Sequence, residues 1–98
     1  MAERHVIIGW AEGLHARPAS IFCRAAAASG IPVTVRRKEG GDPVNAASML
    51  GVLALGAEGG DEIVLATGED ADAAEAESAL DRLATLVSEG LDELPEAV

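Results

Sequence analysis

A single cysteine, Cys23, in 98 residues leaves no internal disulfide to form, and the reducing cytoplasm is the expected compartment. No apolar run approaches the roughly 20 residues needed to cross a bilayer. The opening Met1-Ala2-Glu3-Arg4-His5 lacks the charged-then-apolar layout of a secretory signal, so none is expected. Basic residues are scarce: seven Lys and Arg face seventeen Asp and Glu, for a formal net charge of -10. Nonspecific affinity for nucleic acid comes from cations neutralising phosphates, so that class is disfavoured, as is an anionic membrane surface. The chain has no repeat, no linker and no low-complexity tract beyond the alanines at 25–28. His5, His15 and Cys23 have no spacing that would assemble the three or four ligands of a metal site.

What is present fits one compact domain over residues 1–98. Apolar residues make up 49% and charged residues 24%, a balance for a globular chain. Val6-Ile7-Ile8, closed by Gly9, reads as a strand. From Ala16 to about Ala28, the positions Ala19, Phe22, Cys23, Ala26 and Ala27 recur at helical spacing, with Ser29-Gly30 as the stop. Val33 to Arg36 alternates as a second strand, and a polar turn over 38–42 leads to a short edge strand, Pro43-Val44-Asn45. Ser48 to Leu55 reads as a brief helix and Glu62 to Ala66 as a strand. Ala71 to about Glu89 reads as a helix with the core stripe Ala76, Leu80, Leu83 and Val87, closed by Gly90. The order βαββαβα predicts an α+β open-faced β-sandwich: a mainly antiparallel four-stranded sheet with three helices on one face. The crossover from the first strand to the second leaves room for a strand between them.

The chemistry concentrates where loop becomes helix, in Gly13-Leu14-His15-Ala16-Arg17-Pro18-Ala19. Proline is tolerated in a first helical turn, so Pro18 places His15 at or just before the helix cap. The free backbone N–H groups of that turn, at Ala16 and Arg17, form an anion site. The positive end of the helix dipole favours the neutral, nucleophilic imidazole over imidazolium. Arg17 can offer its guanidinium fork to phosphate oxygens. The bland alternative is that His15 caps the helix and Arg17 is a solvated charge. Cys23 cannot pair with His15 as a nucleophile, because eight residues at about 1.5 Å rise separate them by roughly 12 Å. It reads as a small core residue.

The heptapeptide resembles the active centre of the HPr family, the histidine-containing phosphocarriers of the bacterial phosphoenolpyruvate:sugar phosphotransferase system. The resemblance extends to Val44-Asn45-Ala46-Ala47-Ser48-Met49-Leu50-Gly51 and to Leu55-Gly56-Ala57-Glu58-Gly59-Gly60-Asp61-Glu62-Ile63, nearly the full chain. It implies a carrier rather than an enzyme. Phosphorylated enzyme I would donate to Nδ1 of His15, and an enzyme IIA domain would accept from it. Phosphoryl transfer needs positioning and charge stabilisation, so neither a metal nor an organic cofactor is expected.

Arg17, Ile21 and Arg24 share one helical stripe, and Met49 and Leu50 are surplus to the core in a helix apolar nearly all round. Matching family positions form the docking patch for both partners. An isoleucine between two arginines is expected to find no core to enter. Ser48 matches the serine that a regulatory kinase modifies in some Gram-positive relatives, yet it is also a good helix cap, and capping is the favoured reading. Glu12 stands where many relatives carry a neutral residue and could oppose the helix dipole at His15. Two rivals remain open: a carrier serving a regulatory or kinase-coupled branch, and a binding module whose His15 is never phosphorylated. A monomer is expected.

Overall fold

The computed structural model describes residues 2–68 and 70–92. Four strands, β1 (Glu3–Ile7), β2 (Val33–Arg37), β3 (Gly40–Asn45) and β4 (Glu62–Thr67), form one sheet in the order β1-β4-β2-β3. Every pairing is antiparallel. β4 thus fills the space that the first crossover leaves between β1 and β2. The helices α1 (Ala16–Ala28), α2 (Met49–Ala54) and α3 (Ala73–Glu89) cover one face, giving the expected βαββαβα sandwich.

The core is aliphatic around two aromatics, Phe22 and Trp10, with Phe22, Leu14, Ile63, Leu65, Leu80, Leu83 and Leu86 fully buried. β4 lies centrally, and Val64, on its uncovered face, is as inaccessible as its neighbours on the helix side. The α3 stripe of Ala76, Leu80, Leu83 and Val87 is buried as expected, joined by Ala79 and Leu86. On α1 the stripe differs at one position. Ala27 is exposed and Ala25 is buried, because the sheet-facing arc is centred on Phe22 and extends toward Pro18 rather than past Cys23.

Two strand boundaries also depart from expectation. β1 begins at Glu3, three residues before the apolar run, because tertiary partners accept its polar residues. Arg4 reaches α3, where Nε donates to Asp81 at 2.9 Å and a terminal nitrogen contacts Glu77. His5, for which the sequence suggests no partner, has Nδ1 3.1 Å from the Glu62 carboxylate across the β1–β4 ladder. β3 begins at Gly40 rather than Pro43. Gly40 and Gly41 have φ of +139° and +99°, conformations open to glycine, so the turn contracts to Lys38-Glu39 and Gly40 pairs with Arg37.

The segment leading to α1 is fastened rather than free. The Leu14 N–H donates to Ala57 O at 2.9 Å, and Gly60 N–H donates to Ile8 O at 3.0 Å. Gly13 has φ +76°, and a Cβ there would stand 2.4 Å from Ala57 O. Two segments distant in the chain therefore pack backbone to backbone, and only glycine allows the approach.

Candidate functional site

His15 is the N-cap residue of α1, with an extended backbone (φ -131°, ψ 160°) and no hydrogen bond from its side chain to the helix. The capping role that the bland reading assigns to it is therefore absent. Pro18 supplies part of the reason. A cap side chain accepts from the N–H of the second or third helical residue, and the third here is a proline, which has none. The donors left at this helix start are Ala16 and Arg17. Leu14 is fully buried while His15 is partly exposed, so the loop anchors itself with one side chain and presents the next.

Ala16 has φ +48° and is the sole non-glycine residue with positive φ among the described residues. Left-handed backbone costs an L-residue roughly 1–2 kcal/mol, and such strain collects at functional positions. Arg17 is exposed, and its terminal nitrogen lies 3.8 Å from the Asp92 carboxylate beyond α3. At that distance and exposure the pair contributes little to stability, and the guanidinium stays available to an anion. Among the described residues Glu12 forms no ion pair with His15. Its proximity, raised by the sequence, does not take the form of a direct contact.

The docking residues divide. Met49 and Leu50 are exposed, 38% and 83% respectively, and Arg24 is exposed without an ion pair among the described residues. Ile21 departs from expectation: it is partly buried and packs against the core at the margin of α1, so only part of it faces solvent. Leu53, 38% exposed, belongs with Met49 and Leu50 on α2, although the sequence does not single it out as surplus. Its spacing, four residues after Met49 and three after Leu50, is the signal that points to it. Cys23 Sγ on α1 lies 3.9 Å from Met49 Sδ, which brings the two helices together beside this surface. Burial pushes the Cys23 thiol up, away from thiolate character.

Ser48 is the N-cap of α2, and its hydroxyl accepts from Gly51 N–H at 3.2 Å. No group of three His, Cys, Asp or Glu among the described residues is placed to hold a metal ion. No helix among the described residues is long and apolar enough to cross a membrane.

Residues 2–89 match the family described as the PTS HPr component phosphorylation site. The chain belongs to the HPr family. The phosphocarrier protein HPr of Streptomyces coelicolor is 68% identical over 98 residues, covering the whole of both chains. That of Haloferax volcanii is 44% identical over 86 residues, 88% of this chain and 92% of the relative. The crystal structure of HPr from Bacillus anthracis superposes with a TM-score of 0.76 at 30% identity, covering 88% of this chain and 95% of that one. The HPr fold and the phosphocarrier function in the phosphotransferase system follow for this chain, and its partners are components of that system.

Proposed function

We propose that His15 is the residue through which this HPr-family carrier works. It takes a phosphoryl group from phosphorylated enzyme I on Nδ1 and passes it to a histidine of an enzyme IIA domain during phosphoenolpyruvate-dependent sugar uptake. The observation that carries this reading is the uncapped start of α1, where a partly exposed imidazole stands beside two backbone N–H groups with no side-chain cap. In the accepting step the ring nitrogen bonds to phosphorus as the donor's P–N bond breaks. The transferred oxygens meet the N–H groups of Ala16 and Arg17 and the Arg17 guanidinium. The protein needs to do no more than position and neutralise. It is regenerated at each transfer and turns over no substrate of its own, which makes it a carrier and not an enzyme.

Donor and acceptor dock in turn on the apolar α2 surface of Met49, Leu50 and Leu53, with Ile21 and Arg24 at its border. Ser48 acts as the α2 cap. A serine kinase acting there would put a dianion beside Met49 and Leu50 and repel acidic partners. Such a relay operates in the cytoplasm with the carrier as a monomer. Incubation with phosphoenolpyruvate, Mg²⁺ and enzyme I gives an acid-labile mass gain of one phosphoryl group, lost in His15→Ala. Absence of that gain in the unaltered protein would overturn the reading. Met49→Asp slows transfer with both partners about tenfold or more while the fold persists, as expected for a charge in an apolar interface. Unchanged rates would remove α2 from the docking surface.

A further inference from the structure

The chain has two methionines, Met1 and Met49. Met49 opens α2, is 38% exposed, and stands beside the exposed Leu50 and Leu53 on an apolar stretch of the surface. Among the described residues the indole and the thiol are less accessible. Trp10 is 7% exposed and Cys23 is 8% exposed. Burial also keeps the Cys23 thiol protonated, and the thiolate is the form that reacts readily with peroxides. Among the described residues the more accessible of the two sulfur-bearing side chains is therefore Met49, at the seam where α1 and α2 meet.

We propose that Met49 is a reversible oxidation site, at which hydrogen peroxide converts Sδ to the sulfoxide and closes the α2 surface to partners. The inference rests on reading that surface as the docking site. In the oxidation a sulfur lone pair attacks one peroxide oxygen and the O–O bond breaks. An S–O bond forms, and the departing hydroxide takes the remaining proton to leave as water. Sulfur loses two electrons and the peroxide gains them. Reversal draws two electrons from a pair of thiols through methionine sulfoxide reductases, giving a disulfide and water. The sulfoxide oxygen is a strong acceptor on a surface whose other exposed members are leucines. Its neighbour, the Cys23 S–H 3.9 Å from Sδ, is a weak donor. Docking an apolar partner would strip water from that oxygen without replacing its hydrogen bonds, which weakens association about tenfold or more.

The test treats the full chain with hydrogen peroxide, locates the added oxygen by peptide mass, and measures phosphoryl transfer from charged enzyme I. Rates are compared before and after treatment within each variant, so that a variant's own starting rate cancels. The unaltered protein loses about tenfold in rate, and reductase with thiol restores it. Met49→Leu shows a treated-to-untreated ratio near one even though Met1 still oxidises, and Cys23→Ala shows the same loss as the unaltered protein. Full sulfoxide at Met49 with a rate within twofold overturns the proposal, as does a loss that persists in Met49→Leu. Met49→Asp in the same assay separates the two readings. If it is slow while the sulfoxide form is not, the oxidation site falls alone. If neither is slow, the docking surface falls with it.

Discussion

The three helices start differently, and α1 differs from α2 and α3 in a way that bears on function. Ser48 accepts from Gly51 N–H at 3.2 Å, and Asp72 accepts from Glu75 N–H at 3.1 Å. Each cap thus satisfies the third N–H of its helix. At α1 the same position is Pro18, which has no N–H, and the cap residue is a histidine whose side chain makes no cap bond. A helix loses about 1 kcal/mol when a good cap is missing. The α1 start has that deficit together with a left-handed Ala16. What α2 and α3 use to close their ends, α1 leaves open to an external anion.

Converting α1 to the other pattern is the most drastic way to break this contrast. The double variant His15→Ser with Pro18→Ala restores both an acceptor and the missing donor. It accepts no phosphoryl group at all, as read by mass. In urea denaturation the two substitutions couple favourably by about 0.5–1 kcal/mol, because neither alone completes the bond to the third helical residue that α2 and α3 make. The reverse change, Asp72→Ala, costs α3 about 1 kcal/mol by the same measurement and leaves transfer from enzyme I unchanged. Ala16→Gly removes a left-handed penalty of roughly 1–2 kcal/mol and loses part of that gain to greater unfolded-chain entropy, so it raises stability by roughly 0.5–1 kcal/mol. A loss of stability there would mean that Ala16 is not strained. Asp92→Asn changes stability by less than about 0.5 kcal/mol, because its partner Arg17 is exposed and distant, and thermal melts at matched pH would detect more.

The last contrast concerns pH and lies on the sheet face away from the site. The His5 ring, and then Lys38, hold the Glu62 carboxyl below its usual range. A carboxylate lowered on folding stabilises above the unfolded carboxylate range, and that contribution is lost as pH falls through its folded value. Glu62→Gln therefore loses stability less steeply on acidification than the unaltered protein. Equal slopes in denaturation series through the carboxylate range would mean that the His5–Glu62 contact is inert.

Much of the fold and of the candidate site is legible in the amino-acid sequence, wherever the signal is local. Pro18 marks the start of α1, the alternation of Val33 to Arg36 marks β2, and Ala76, Leu80, Leu83 and Val87 name the buried face of α3. The departures share one cause, which is a partner distant in the chain or a backbone freedom that periodicity does not register. Glu3, Arg4 and His5 look like a polar lead-in, yet they are strand because Glu62, Glu77 and Asp81 lie opposite them on β4 and α3. Ile21 looks surplus, yet the margin of the core takes part of it. Gly40 and Gly41 look like loop, yet their positive φ lets the ladder start early.

The sequence by itself determined the helix start that bears His15, because proline and the free N–H groups beside it act within one turn. It also determined the family, whose motifs extend nearly the whole chain. Tertiary structure alone decided that the loop before His15 is held in place, because Gly13 must meet Ala57 across 44 positions of chain. It alone decided which apolar residues stay outside, since that depends on where α2 sits against α1. Local chemistry sets what the histidine can do, and the packing around it sets which surface remains for the partners.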